Sequence, residues 1–355
     1  MISKEKALAG KSVLFIGQVF YDYHLKIIHE LELSGAEVTF FENKFFPEDN
    51  GTSRPGVIRS ARRLFLGDRK KRYTQQIIAA IESKKFDFLF CIGGFSITPE
   101  LLGFLKLKNK DLVSIVYFWD SFSVWNYANL LSLFDHTYSF DPLDCEQYER
   151  LQYAPLFYTN EYEDVSDVTA DIDFLYVGSV GIPSQNRCDF LLALDRFSKQ
   201  KGYNAFLWLY YAADDKTFLK KVKNQLKMLL LSSYREFMKK INEGRTNADF
   251  IKDKVISRGE VANLMSRAKC IVDIPVPGQA GLTIRTIETL AAGKKIITTN
   301  QYVKQADFYD PAYIKVIDHS VDEIDEDFVK TVPLHKIEMS SLRISAWVNT
   351  FFKHL

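Results

Sequence analysis

Residues 270–300 read CIVDIPVPGQAGLTIRTIETLAAGKKIITTN, and this run decides the fold class. A buried apolar strand ends at Ile274, a Pro/Gly loop covers Pro275 to Gly281, and a helix begins near Thr283, the expected N-cap. Ile287, Leu290 and Ala291 recur at helical spacing and face a core, Gly293 closes the helix, and Lys295–Thr298 is the next strand. Strand, loop, helix and strand in this order make the repeating unit of an α/β protein. A glycine loop at a helix N-terminus offers free backbone N–H groups and the positive end of the helix dipole, which suits a diphosphate. Arg285, in the first helical turn, adds a cation for phosphate oxygens. Glu288 lies one turn on along the same face, where a carboxylate can accept both hydroxyls of a ribose.

The same alternation extends outward in both directions. Upstream, Phe174–Val177 is a strand ending at Gly178, a helix follows near Phe190–Phe197, and Phe206–Tyr210 is the next strand. A charged helical stretch runs from Lys216 to about Ile241, Lys254–Ile256 is a further strand, and Leu342–His354 is a closing helix. At the other end, SVLFIGQVFYDYHLKIIHELELSGAEVTFFE (12–42) reads as strand Val13–Ile16, a helix with Leu25, Ile28 and Leu31 on one face, a Gly35 C-cap, and strand Val38–Phe41. Ile77–Ile81 is helical; Phe86–Ile92, Val113–Phe118 and Thr137–Phe140 are strands, the first ended by Gly93-Gly94. Periodicity weakens over 154–170, APLFYTNEYEDVSDVTA. The expected organisation is therefore an N-terminal Rossmann-like domain over 1–155, a C-terminal one over 171–340, and a closing helix over 341–355. Two such halves joined by a linker are expected to face each other across a cleft lined by strand ends.

Composition sets bounds. A chain of 355 residues with 47% hydrophobic and 26% charged residues is an ordinary globular protein large enough for two cores. The formal net charge of +1 favours no highly charged partner, so any electrostatic function is local. Phe alone counts 28 residues, which supplies core packing and stacking surfaces for sugars or bases. The four cysteines, Cys91, Cys145, Cys188 and Cys270, show no CxxC pair and no Cys/His metal spacing, and Cys91 and Cys270, in apolar runs, read as buried thiols in a reducing compartment. MISKEKALAGKSVLFIG lacks a signal-peptide h-region, and no window holds eighteen apolar residues, so the expected location is cytoplasmic.

The run GLTIRTIETLAAGKKIITTN (281–300) resembles the donor-binding motif of GT-B glycosyltransferases. Its form is similar to bacterial capsule and lipopolysaccharide biosynthesis proteins and to CgeB-like spore-coat glycosyltransferases. The resemblance reaches, more weakly, from FLYVGS at 174 to ADFYD at 306, and to FIGQVFYDYH in the first half. It implies a GT-B fold and sugar transfer from a nucleotide-sugar donor to a glycan or lipid-linked acceptor. It implies Glu288 at the nucleoside ribose and the turn from Gly281 through Leu282 and Thr283 to Arg285 at the phosphates and sugar. It also implies a phosphate contact from the loop at Gly178 and Ser179, with Arg187 as the basic candidate beside a plain surface arginine. One departure stands out. Many retaining members carry a glutamate eight positions before the ribose glutamate; here that position is Ala280, preceded by Gln279.

Candidate acceptor and catalytic groups follow the strands of the first half. Gly17 to Tyr21 leads to Asp22 and His24, an acid–base pair near a strand end, with helix capping as the alternative use of Asp22. Gly94 and Phe95 follow one strand; Trp119, able to stack on a sugar, and Asp120, a second candidate base, follow another. No DxD motif ends a strand, since Asp171-Ile172-Asp173 precedes one, so metal independence is expected with no cofactor. Residues 54–72 hold eight basic residues against Asp68, with Val57, Ile58, Leu64, Phe65 and Leu66 interleaved. Such a segment suits the inner face of a membrane, or a solvated basic face, better than nucleic acid. A sugar-nucleotide epimerase and a non-catalytic nucleotide-sugar-binding protein remain the competing readings; no histidine in the second half before His319 speaks against the first.

Overall fold

The computed structural model describes residues 7–46, 69–163, 169–181, 184–211, 228–229 and 231–353. The chain forms two compact units, Met1–Leu156 with Ile344–Leu355, and Phe157–Arg343.

The first unit holds a six-stranded parallel sheet in the order β2-β1-β3-β4-β5-β6. The strands are β1 (Ser12–Gly17), β2 (Glu37–Glu42), β3 (Phe88–Ile92), β4 (Val113–Phe118), β5 (His136–Ser139) and β6 (Leu151–Tyr153). The central strands are unbroken apolar runs because helices cover both sheet faces. On one face Leu14, Ile16, Leu89, Cys91, Val116 and Phe118 share a core with residues of α2 (Arg69–Ile81) and α3 (Pro99–Lys108). The other face presents Phe90 and Tyr117. They meet the C-terminal helix α10 (Ile344–Phe352), whose Phe351 ring lies 5.2 Å from Phe90 and whose Trp347 ring lies 5.1 Å from Tyr117. The short helix α4 (Pro142–Gln147) joins β5 to β6, and helix α1 (Tyr23–Leu33) buries Tyr23, Ile27 and Leu31. Leu25, expected on that face, is 56% exposed, because the i, i+4, i+8 stripe starts at Tyr23 and turns Leu25 outward.

The second unit holds another six-stranded parallel sheet, ordered β12-β11-β10-β7-β8-β9. Its strands are β7 (Ile172–Ser179), β8 (Ala205–Tyr210), β9 (Ile251–Lys252), β10 (Ala268–Asp273), β11 (Lys295–Thr298) and β12 (Ile314–Val316). The strand expected at Lys254–Ile256 is displaced: the ladder to β8 is made at Ile251 and Lys252, and Val255 is exposed. Of the charged helical stretch expected from Lys216 to about Ile241, only the later part is described. Helix α6 (Ser232–Asn247) buries Tyr234, Phe237, Ile241 and Gly244 at helical spacing, while 216–227 lie outside the described residues. The unit also holds helices α5 (Asn186–Lys201), α7 (Arg258–Ser266), α8 (Ile284–Ala291) and α9 (Glu326–Lys330). Helix α8 begins as its sequence dictates. The Thr283 side chain accepts from the Thr286 N–H, and Gly293 takes φ +66°, a left-handed conformation that suits glycine after a helix end.

Both sheets reverse direction of growth once. In the first unit β2 lies on one side of β1 and β3 on the other; in the second β8 lies on one side of β7 and β10 on the other. Ligands of open α/β sheets bind beyond the carboxyl ends of such strand pairs. No helix among the described residues is long and apolar enough to cross a membrane.

Phe351 is 1% exposed and packs on Phe90, Tyr117 and Tyr138. Phe351→Ala should lower unfolding free energy by about 3–5 kcal/mol, whereas Leu25→Ala should change it by no more than about 0.5 kcal/mol. Urea denaturation of the two variants measures both.

Candidate functional site

At the reversal point of the second sheet, β7 and β10 part. Their paired residues run from Ile172–Ala268 to Leu175–Ile271 and stop, although β7 stays paired with β8 as far as Ser179. Two arginines tie the parted ends together. Arg285 donates from Nη1 to Asp273 Oδ1 at 2.7 Å and from Nη2 to the Val177 carbonyl. Arg187 donates from Nε to the Ile274 carbonyl at 2.7 Å and from Nη1 to the Ser179 carbonyl at 2.7 Å. Asp273 is fully buried, and its other oxygen accepts from the hydroxyls of Thr283 (2.9 Å) and Thr286 (3.2 Å). Burial opposes the charge of Arg285, and Asp273, Tyr176 and Glu288 together outweigh that penalty and raise its pKa. The guanidinium also lies 5.2 Å from the centre of the buried Tyr176 ring, whose pKa is pushed up by burial.

This geometry separates the two cations that the sequence treats alike. Arg285 is neutralised within the protein. Arg187 binds two neutral carbonyls, and no carboxylate pairs with it among the described residues. It stands in the first turn of α5, whose N-cap residue Gln185 makes no side-chain cap bond. Beside it the Gln185 Oε1 and both amide atoms of Asn186 are buried without a hydrogen-bond partner among the described residues. Buried polar atoms left unmatched in this way are suited to a ligand. The N-termini of α5 and α8 thus both lie at the carboxyl ends of the parted strands, with Gly178 and Ser179 closing β7.

The loop before α8 is folded inward. Asn300 donates to the carbonyls of Ala280 (3.1 Å) and Gly281 (3.3 Å), and Gln279 donates to the same Gly281 carbonyl at 3.1 Å. Gly281 and Leu282 are buried, and so is Ala280. Glu288 points elsewhere than Arg285. Its side chain is 6% exposed, and Oε1 lies 3.7 Å from Nη2 of Arg258, the first residue of α7. Neither Asp273 nor Arg258 is marked by periodicity. Asp273 sits inside an apolar strand, and the legible signal near Arg258 is the capping box of Ser257 and Glu260. The DxD-like residues are structural: Asp171 pairs with Arg267, and Asp173 lies 2.7 Å from Lys269.

The first unit closes its reversal point with neutral groups. Asn43 donates to the Ile92 carbonyl at 2.8 Å and accepts from the Ser96 N–H at 2.8 Å. Gly93 takes φ +71°, and a Cβ there would lie 2.8 Å from both Asn43 Nδ2 and Gln18 Nε2. Glycine alone satisfies both conditions. Asp120, just past β4, has its carboxyl pushed up to about 6 by burial, with Gln18 pulling the other way. The buried Tyr127, without a hydroxyl partner among the described residues, feels the Asp120 charge. Gly17 ends β1, and Gly94 is buried after β3 beside the half-buried Phe95. Exposed Phe20 stacks edge-on with Tyr21 (4.8 Å) and Trp119 (6.4 Å), which leaves aromatic surface next to Asp120. His24 is placed differently: its ring lies on Phe40 of β2 at 5.4 Å. The Asp22 carbonyl accepts from Leu25 and Lys26 at the start of α1, and its side chain makes no cap bond. Of the basic segment 54–72, residues 54–68 lie outside the described residues; Arg69, Lys71 and Arg72 are exposed on α2.

Known structures share this architecture. A UDP-forming α,α-trehalose-phosphate synthase from Burkholderia xenovorans aligns over 97% of this chain and 98% of its own, with a TM-score of 0.61 and 11% identity. An α-glucosyltransferase in complex with UDP and a 13-mer DNA aligns over 96% of this chain and 95% of its own, with a TM-score of 0.54 and 12% identity. The UDP-GlcNAc 2-epimerase of Methanocaldococcus jannaschii, in complex with UDP-GlcNAc and UDP, aligns over 96% and 98%, with a TM-score of 0.52 and 12% identity. The fold is GT-B. No family model matches the sequence, and no curated protein does. At such identities the likeness is one of GT-B architecture, and the chemistry rests on this chain's own residues.

Arg285→Ala would leave the Asp273 carboxylate buried and uncompensated. The variant should lose about 3–5 kcal/mol of stability. Arg187→Ala removes one bond to the carbonyl of buried Ile274 and one to that of exposed Ser179 and should cost about 1–3 kcal/mol. Denaturant melts of the two variants test the order.

Proposed function

We propose that this GT-B protein is a glycosyltransferase that moves a sugar from a nucleotide-sugar donor to a glycan or lipid-linked acceptor of cell-surface polysaccharide. The observation that carries the donor half is the meeting of two helix N-termini, the un-neutralised Arg187 and the unmatched Asn186 amide at the β7/β10 reversal point. That set is suited to a diphosphate. In this reading Glu288 accepts the ribose hydroxyls, and Gly178, Ser179, Gln279, Gly281, Leu282 and Thr283 line the donor side. Arg285 shapes the site and contributes field rather than a direct phosphate bond.

In the first unit Asp120 is the general base. Its carboxylate takes the proton of the acceptor hydroxyl, the oxygen attacks the anomeric carbon, and the nucleoside diphosphate departs with the bonding pair. The leaving charge is met by Arg187 and the helix N-termini. Activity should therefore persist in EDTA; loss that added magnesium restores would overturn this part. Phe20, Tyr21 and Trp119 supply stacking surface for an acceptor sugar. Ala280 offers the sugar no carboxylate. The basic residues of 54–72 fit a lipid-linked acceptor at the inner face of a membrane.

Thermal melts with UDP, GDP and ADP test the donor site; a ligand at one hundred times its Kd should stabilise by about 2.7 kcal/mol. No response to any of them would overturn the donor reading. Conversion of the donor to a 2-epimer with no acceptor present, followed by NMR, would favour an epimerase. With a competent acceptor, kcat/KM should rise with pH through about 6, as the Asp120 carboxyl ionises. Asp120→Asn should lower kcat by about 10²–10⁴-fold and remove that limb of the pH profile.

A further inference from the structure

Arg258 occupies an unusual position for a helix-starting residue. It opens α7, directly after the Ser257 cap, yet its side chain is only 11% exposed. The guanidinium touches two separate segments, the turn at 159–162 and α8. Nη2 donates to Thr159 Oγ1 at 2.5 Å and lies 3.7 Å from Glu288 Oε1; Nη1 lies 3.8 Å from Glu161 Oε1. Its centre sits 5.8 Å from the middle of the buried Tyr162 ring. The Tyr162 hydroxyl is pushed to higher pKa by burial and then by the Glu288 charge, and is drawn back by Arg258. Thr159, Glu161, Tyr162 and Glu288 thus gather around the Arg258 guanidinium, their side chains coming from the turn at 159–162 and from α8.

We infer that Arg258 is the positioning residue for Glu288: it keeps that buried carboxylate charged and aimed, so that a nucleotide's ribose hydroxyls meet a preset acceptor. This rests on the donor reading given above. A carboxylate with 6% exposure is costly to ionise unless a cation faces it. A cation held by Glu288 alone would swing with it. Here Thr159 accepts from the same Nη2 and Glu161 faces Nη1, so the guanidinium is held by groups besides Glu288 before ligand arrives. A planar fork holds several partners in a fixed geometry, whereas an ammonium on a flexible stem leaves that geometry free. Fixing the acceptor in advance lowers the ordering cost of binding. The specific consequence is discrimination: the cluster should favour nucleotides that carry both ribose hydroxyls.

The test uses whichever of UDP, GDP and ADP stabilises the wild type most, together with its 2′,3′-dideoxy counterpart, in calorimetric titrations. Wild type should bind the ribonucleotide about tenfold or more tightly than the dideoxy form. Glu288→Gln and Arg258→Gln should each lose most of that ratio, with dideoxy affinity changed little, and the double variant should lose no more than either single one. Arg258→Lys keeps a charge and the fold, as checked by its melting midpoint, and should also lose most of the ratio. If Arg258→Gln or Arg258→Lys keeps the ratio while Glu288→Gln loses it, the inference fails and the ribose role of Glu288 stands. If Arg258→Gln weakens both ligands equally, Arg258 is only structural and the inference fails. If wild type shows no preference, the ribose role itself fails, and this inference with it.

Discussion

The buried ion pair between Arg285 and Asp273 organises the second unit. The β7–β10 ladder stops at Leu175 and Ile271, and carbonyls beyond that point need donors. Arg285 supplies one, and the fully buried Asp273 neutralises it. The same carboxylate takes the hydroxyls of Thr283 and Thr286, so the first turn of α8 is bolted to the end of β10. The direction of α8 follows, and with it the place of Glu288 one turn along. A salt bridge in this setting adds little net stability over an apolar pair, and its use lies in the single arrangement it permits.

With Arg285 neutralised by Asp273, Arg187 is the cation at this strand end that has no carboxylate partner among the described residues. Its guanidinium bridges the Ile274 and Ser179 carbonyls, which keeps the parted strands at a fixed spacing. The first unit meets the same topological problem with neutral chemistry. Asn43 joins the Ile92 carbonyl to the Ser96 N–H, Gly93 makes room for the Asn43 and Gln18 amides, and no charge is spent. One reversal point is thus lined with cations and helix N-termini, and the other with amides and an acid of raised pKa.

Much of the fold is legible in the residues. Runs such as FLFCI and VSIVYF can be little else than strands covered on both faces, and the loop from Pro275 to Thr283 announces its helix. The errors have local causes. Leu25 was placed inward by its spacing to Ile28, but the stripe that packs begins at Tyr23. Lys254–Ile256 has strand composition, yet Leu209 and Tyr210 pair with Ile251 and Lys252 instead. Propensity cannot see which neighbour a strand edge will meet. Among the site residues, the glycines, Thr283 and the position of Glu288 were readable from local pattern. Asp273 was not, because a carboxylate inside an apolar strand looks like an interruption until its partner, twelve residues on, is brought beside it.

The sequence by itself determined the α/β class, the strand and helix alternation, and a glycine loop leading into a capped helix with a cation and an acid one turn apart. Those are short-range features, set by backbone geometry and by spacing along one helix or strand. Tertiary structure alone decided which arginine is neutralised, that His24 packs on Phe40, that burial raises the Asp120 carboxyl, and that Arg258 meets Glu288. Each of these depends on groups far apart in the chain and on the removal of water around them. Charge and burial act through space, and their sign at a given side chain is settled only when the fold has chosen its neighbours.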